Sequence, residues 1–292
     1  MRKNFITIGS FDGVHAGHQH LFDKLKAFAL EHNMTPLILA FAYPPRVAAG
    51  SSKNMSVITL PHEKFELIST LSGVKYKELD FNDIKDISRE NFFNALVESY
   101  NMGGFLAGKD FAFGKDRLGN LDFLRSSCAQ NGIVYEQAEF LQTGGHKISS
   151  SLIRKALHDG DIETVSTMLG RSYQITGKII KGKQLGRTIG FPTANLQVDP
   201  HKILPHGIYA VEVLLGKEKL KGVCNIGLRP TVESNGLPLT EVHILDFNRD
   251  IYGRNLSINF VAKIRDEVKF ESLGDLVQQI NKDVICAYKI LK

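Results

Sequence analysis

Phe5-Ile6-Thr7-Ile8-Gly9-Ser10-Phe11-Asp12-Gly13-Val14-His15-Ala16-Gly17-His18-Gln19 runs from a short apolar segment, through a glycine-rich turn, into a helical pattern. Leu21, Leu25, Phe28 and Ala29 then recur at helical spacing, and Leu37 to Phe41 is a second strand-like run. Another helical stretch begins near His62. Ser88 is placed to cap a third, ahead of Phe92, Phe93, Leu96 and Val97. Gly104 to Ala107 and Ile133 to Glu136 read as further strands. Strands alternating with helices predict a parallel sheet covered on both faces, with ligands at the carboxyl ends of its strands. The glycine-rich segment after Ile8 falls there.

The period changes after Arg171. Tyr173–Ile180, Gly207–Leu215, Leu220–Ile226, Thr240–Phe247 and Leu256–Ile264 are strand-like and separated by Gly, Pro, Asn and Asp. Successive strands without intervening helices predict an antiparallel barrel or sandwich. A final helix follows, with Ser272 as its cap and Leu273, Leu276, Val277, Ile280, Val284 and Tyr288 as its apolar stripe. The boundary between the halves is placed near residue 171, and no internal repeat links them.

The 292 residues suffice for two domains, each with its own core. No apolar run approaches the roughly 20 residues needed to span a bilayer, and the opening MRKNFITIG has no secretory apolar stretch. Cys128, Cys224 and Cys286 are odd in number and widely spaced, which predicts free thiols and a cytoplasmic location rather than a disulfide framework or zinc site. A net charge of +5 suits a protein that handles phosphates. Basic residues are dispersed among acidic ones rather than interleaved with aromatics, so the expectation is no nucleic-acid partner and no membrane.

In the first half, the glycines let backbone approach a ligand, and the helix start offers free N–H groups to an anion. His15 and His18, three residues apart, can turn both rings toward one phosphate. They could also be two ligands of a metal, though no Cys and no obvious third ligand lie nearby. Ile148-Ser149-Ser150-Ser151-Leu152-Ile153-Arg154 sets three hydroxyls at a predicted helix start. Serines alone would be caps. Arg154 adds a planar, permanently charged donor suited to a triphosphate.

Together these segments resemble the HxGH and ISSxxxR motifs of the nucleotidylyltransferase superfamily. The wider string GSFDGVHAGHQ resembles the FMN adenylyltransferase module of bacterial bifunctional riboflavin kinase/FMN adenylyltransferases, the FAD synthetases. Gly108-Lys109-Asp110-Phe111-Ala112-Phe113-Gly114-Lys115 is similar to that module's G-x-D-F-x-F-G stretch. The resemblance implies in-line attack of the FMN phosphate on the α-phosphorus of ATP, releasing pyrophosphate. His15 and His18 would donate to phosphate oxygens, while Ser149, Ser150 and Arg154 hold the phosphates. Gly9, Phe11, Gly13 and Gly17 belong to the same binding segment. Asp12 and Asp110 are candidates for substrate or magnesium contacts and equally for turn or cap residues. The family often carries a Pro-His-Pro run after the second strand, where this chain reads Phe41-Ala42-Tyr43-Pro44-Pro45-Arg46, so no role for that histidine carries over.

In the second half, Gly186-Arg187-Thr188-Ile189-Gly190-Phe191-Pro192-Thr193-Ala194-Asn195 is made of residues that also punctuate ordinary loops. It closely resembles the GRxxGFPTAN signature of riboflavin kinases. The resemblance implies that Thr193 and Asn195 bind the magnesium carried by ATP, while Gly186, Arg187, Gly190 and Pro192 lie in the segment that wraps the nucleotide. A hydroxyl and an amide carbonyl are hard oxygen ligands suited to magnesium. No Walker A sequence occurs, so such a kinase uses another phosphate loop. Glu241 aligns with the family's catalytic glutamate, a base for the attacking hydroxyl. On a strand it would share a face with His243, Leu245 and Phe247. Asn225 to Thr231 and Arg265 to Phe270 also resemble kinase segments, with Asn225 and Arg265 as contacts to nucleotide or flavin.

These readings predict an N-terminal Rossmann-like nucleotidylyltransferase domain over 1–171 and a C-terminal antiparallel β-barrel riboflavin kinase domain over 172–292. The ligands implied are riboflavin, FMN and ATP with Mg2+; FMN and FAD are the products. An FMN adenylyltransferase with an inactive kinase-like half is the alternative, and the presence of Thr193, Asn195 and Glu241 argues against it. A pantetheine or nicotinamide nucleotide acceptor would leave the second half unexplained.

Overall fold

The computed structural model describes residues 2–48, 56–139, 141–143, 146–182, 184–228 and 238–292. The chain divides into two compact units, Met1–Ser150 and Ser151–Lys292.

The first unit runs β1 (Asn4–Gly9), α1 (Ala16–Glu31), β2 (Thr35–Phe41), α2 (Pro45–Ala48), α3 (Pro61–Ser72), β3 (Lys75–Leu79), α4 (Phe81–Ile84), α5 (Arg89–Ser99), β4 (Met102–Gly108), α6 (Leu121–Gln130) and β5 (Val134–Ala138). A two-stranded hairpin of β6 (Gln142–Thr143) and β7 (His146–Lys147) follows. The sheet order is β3-β2-β1-β4-β5, and every pairing is parallel. Alternation along the strands feeds two cores. Ile6, Ile8, Leu37, Leu39 and Phe105 meet Phe92, Phe93 and Leu96 of α5 and Leu124 of α6 on one face. Phe5, Ile38, Ala40 and Leu106 meet Phe22, Leu25 and Ala29 of α1 and Ile68 of α3 on the other. Strands buried on both faces read as near-continuous apolar runs, which is why β1, β2 and β4 are legible in sequence. Ser88 caps α5 by accepting from the Asn91 N–H.

The second unit runs α7 (Ser150–Asp159, from the last residue of the first unit), α8 (Ile162–Leu169), β8 (Gln174–Ile180), α9 (Leu185–Thr188), β9 (Ala194–Val198), β10 (Gly207–Leu215), β11 (Glu218–Leu228), β12 (Pro238–Ile244), β13 (Asn255–Arg265) and α10 (Leu273–Ile290). The six strands close into an antiparallel barrel in the order β10-β11-β12-β9-β8-β13, with β13 pairing back to β10. Closure removes the sheet edges. Phe260 makes ring contacts with buried Tyr173 and Tyr209. Ser272 caps α10, whose Ala287 packs with Leu291, Ala210 and Leu245.

Two strand expectations need correction. β12 ends at Ile244, so the alternation from Glu241 stops at His243. Leu245 lies past the strand and joins the α10 contact, while Asp246 takes a left-handed φ of 53° that turns the chain away. β9, which begins at Ala194 near the end of the GFPTAN segment and runs to Val198, is a strand that the Gly and Pro just before it disguised.

Candidate functional site

β1 lies at the centre of the parallel sheet, with β2 on one side and β4 on the other, so the chain after Gly9 enters the crevice where strand order reverses. That is the position where open α/β sheets bind ligands. The loop is tightly wound: Phe11, Gly13 and Val14 have φ of 47°, 86° and 40°. Val14 is β-branched, so its left-handed backbone carries strain that its surroundings must hold. Phe11 and Val14 are buried, and Phe11 packs edge-on to Phe22 of α1. Asp12 is also buried. Its carboxylate accepts from the Ile58 N–H at 3.0 Å, the Thr59 N–H at 3.0 Å and the Thr59 hydroxyl at 3.2 Å. Gly13 N–H donates to the same Thr59 hydroxyl. These bonds hold Asp12 in the role of a turn residue that fastens the loop.

His15 is the N-cap of α1, its Nδ1 accepting from the His18 N–H. A ring nitrogen that accepts carries no proton, so in the neutral ring the proton sits on Nε2 as a donor. The His15 and His18 rings stack with centroids 3.5 Å apart, and Phe11 meets His18 edge-on. Gly17 makes room for this: a Cβ there would lie 3.1 Å from the His15 ring. Among the described residues, no group of three or more His, Cys, Asp or Glu side chains is placed to hold a metal. The Ser150 hydroxyl donates to the Asp12 carbonyl at 2.9 Å, which ties the serine motif to the same loop. Ser149 is partly buried just before it. The division between units falls inside this motif, so Arg154, one turn along α7 from Ser150, belongs to the second unit. Asp110 is exposed just past the end of β4, while Phe111 and Phe113 anchor its loop against the core.

Lys64, on α3, is a site feature that sequence reading missed. Its side chain is fully buried, and Nζ donates to the carbonyls of Phe41 and Ala42 at 2.6 and 2.9 Å. Burial lowers its pKa to about 8, against the opposing pull of Asp12 and Glu78. It ties down the segment just past β2, where the Pro-His-Pro run is replaced. A lysine in the pattern His62-Glu63-Lys64 gives no local sign of burial.

In the second unit a cavity of about 500 Å³ lies against the barrel wall and α10. Leu239, Val223, Phe270, Ile280 and Val284 supply apolar lining, while Glu241, Asn225, Thr193, His243 and Arg265 bring polar groups. Strand register explains the convergence. Asn225 on β11 pairs with Glu241 on β12, which pairs with Asn195 on β9, so the three stand in one row across the wall. Asn195 is buried, and its Oδ1 has no hydrogen-bond partner among the described residues. A buried acceptor left without a donor is costly unless a ligand or cation meets it.

The motif loop is drawn onto this wall. α9 makes one helical turn, and the Phe191 N–H returns to the Gly186 carbonyl at 2.8 Å. A Cβ at Gly186 would collide with the Phe191 carbonyl. Gly190 takes a φ of 87°. Arg187, Gly190 and Pro192 are exposed and outside the cavity lining. Arg265 lines the cavity, yet its Nε and Nη2 donate to the buried Asp283 of α10 at 2.9 and 2.7 Å, and its Nη1 to the Asp266 carbonyl. It therefore fastens α10 to β13. Of the segment from Asn225 to Thr231, Arg229, Pro230 and Thr231 lie outside the described residues.

Residues 1–152 match the FAD synthetase family and residues 169–291 the riboflavin kinase family. A protein of Haemophilus influenzae named bifunctional riboflavin kinase/FMN adenylyltransferase is 38% identical over 290 residues, covering 96% of this chain and 91% of the relative. A Bacillus subtilis protein of the same name is 34% identical, covering 96% and 90%. A crystal structure from Streptococcus pneumoniae, described as a macrolide-efflux protein, superposes with a TM-score of 0.88 at 28% identity over 99% of this chain and 95% of that one. Among the described residues here, no helix is long and apolar enough to cross a membrane.

Proposed function

The chain belongs to the family of bifunctional riboflavin kinase/FMN adenylyltransferases, and from that membership we propose how its two sites divide the work. The second unit phosphorylates the 5′-hydroxyl of riboflavin with ATP. The first transfers AMP from a second ATP to FMN, giving FAD and pyrophosphate. The observation that carries the reading is the row Asn225, Glu241 and Asn195 across the barrel wall, of which Asn225 and Glu241 line an apolar cavity large enough for a flavin, with the motif loop folded beside it.

In the kinase site, Glu241 takes the proton from the attacking hydroxyl. Thr193 and Asn195 would hold Mg2+ with ATP; the unsatisfied Asn195 Oδ1 fits a hard cation that keeps several waters. Bound there, magnesium would neutralise charge on the phosphate oxygens. The apolar lining, with Phe270 and Val284, would bury the isoalloxazine ring and keep water from the transfer.

In the adenylyl-transfer site, no covalent intermediate is required, and catalysis rests on positioning and charge stabilisation. His15 presents Nε2–H, and His18 stacked on it presents a second ring to the α-phosphate oxygens of ATP. The start of α1 supplies backbone N–H groups to the same anion. Ser149 and Ser150 would hold the phosphates, with Asp110 at the rim. In the cell, the setting we propose is the cytoplasm, where both substrates are met.

The test is Glu241→Gln, which keeps shape and removes basicity. Riboflavin phosphorylation should fall about 10²- to 10⁴-fold, while FAD formation from supplied FMN is unchanged. Unaltered kinase turnover would make Glu241 a bystander; loss of both activities with a lower melting temperature would make it structural.

A further inference from the structure

His243 follows Glu241 by two residues on β12, so both side chains face the cavity. Its Nδ1 lies 2.8 Å from the Pro192 carbonyl oxygen. A carbonyl only accepts, so Nδ1 carries the proton and donates. The edge-on contact of its ring with Phe191, centroids 5.5 Å apart, fixes the ring plane. Pro192 immediately precedes Thr193, and β9 begins one residue later. β12 and β9 pair directly only from Thr240 to Val242. The His243 bond therefore carries the link between these strands past the end of their ladder, onto the loop.

We infer that His243 is a positioning residue for phosphoryl transfer: through Nδ1–H it holds the Pro192–Thr193 loop at a fixed distance from the strand bearing Glu241. Proline has no N–H of its own with which to anchor the loop to the sheet. Without His243 the Pro192 carbonyl loses this tie to β12, and Thr193 swings with it. The inference rests on the kinase reading above and adds to it a residue that acts through the Pro192–Thr193 loop.

The test uses the full chain and three substitutions. An asparagine amide N–H₂ falls near the place of Nδ1, whereas a glutamine amide falls near Nε2. His243→Ala and His243→Gln should raise the KM for MgATP roughly 3- to 10-fold, the effect of one net hydrogen bond. The KM for riboflavin and FAD formation from FMN should hold steady, and His243→Asn should recover most of the loss. Two results would overturn the inference. One is an asparagine variant no better than alanine. The other is an equal rise in both KM values with a lowered melting temperature in all three, which would make the ring a packing element. Failure of the unmodified protein to phosphorylate riboflavin would strike the kinase reading itself, and is read separately.

Discussion

His18 donates its backbone N–H to His15 Nδ1, and the two rings stack with centroids 3.5 Å apart. The helix cap and the proposed catalytic pair are thus one arrangement: the bond that starts α1 engages His15 Nδ1 and leaves Nε2 as the donor atom of the neutral ring. Asparagine is among the best N-caps but has no atom at the Nε2 position. His15→Asn should therefore keep the melting temperature of the first unit while FAD formation from FMN falls about 10²- to 10³-fold, the usual cost of losing one preorganised donor. His18→Ala should lose FAD formation comparably. Riboflavin kinase activity, measured in the same preparations, should stay near normal. Equal FAD synthesis by variant and parent would remove the histidines from the mechanism.

Asp12 has a different part. Its carboxylate gathers two backbone N–H groups and a hydroxyl around a loop whose Phe11 and Val14 are held at positive φ. Asp12→Asn replaces one acceptor oxygen by a donor facing donors. We expect a loss of about 1–3 kcal/mol in the first unit's stability, and reduced FAD synthesis because the strained loop relaxes. Calorimetry with a parallel FAD assay checks this. Reduced FAD synthesis with no loss of stability would instead indicate direct contact with substrate.

Lys64 gives a pH signature. Its folded pKa of about 8 lies below the ordinary lysine value of 10.5 because of burial. Below pH 8 the charged amine is buried in full, and its cost is fully present. Between pH 8 and 10.5 the unfolded chain binds more protons than the folded one, so stability contributed at this site rises with pH. Melting temperatures of the parent and Lys64→Met, compared from pH 7 to 10, should show the parent gaining on the variant across that window. A constant difference would mean the amine is solvated in the folded protein.

The sequence showed the two architectures through their periods. Apolar runs such as Phe5–Ile8 mark strands buried on both faces, and turn-punctuated strands after Arg171 mark the barrel. It singled out His15, His18 and Glu241 through motifs, and the structure stacks the two histidine rings and sets Glu241 in the cavity lining. Three features stayed hidden because they depend on partners distant in the chain. Lys64 is recognisable only once it meets the carbonyls of Phe41 and Ala42. Arg265 is committed to Asp283, eighteen residues on. The alternation predicted from Glu241 to Phe247 stopped at His243 because the strand ends at Ile244, since the turn at Asp246 and the packing of Leu245 with α10 outweigh a local apolar pattern. The GFPTAN segment was legible as a motif but not as β9, because glycine and proline before Ala194 mask a strand whose register is set by β8 and β12.

The central claim is that one chain carries both steps at separate sites. The most direct test incubates the purified protein with riboflavin, ATP and Mg2+ and separates riboflavin, FMN and FAD over time. The account predicts that FMN accumulates first and FAD follows after a lag, with pyrophosphate appearing only in step with FAD. FMN that never proceeds to FAD, or FAD formed from added FMN but never from riboflavin, would contradict it.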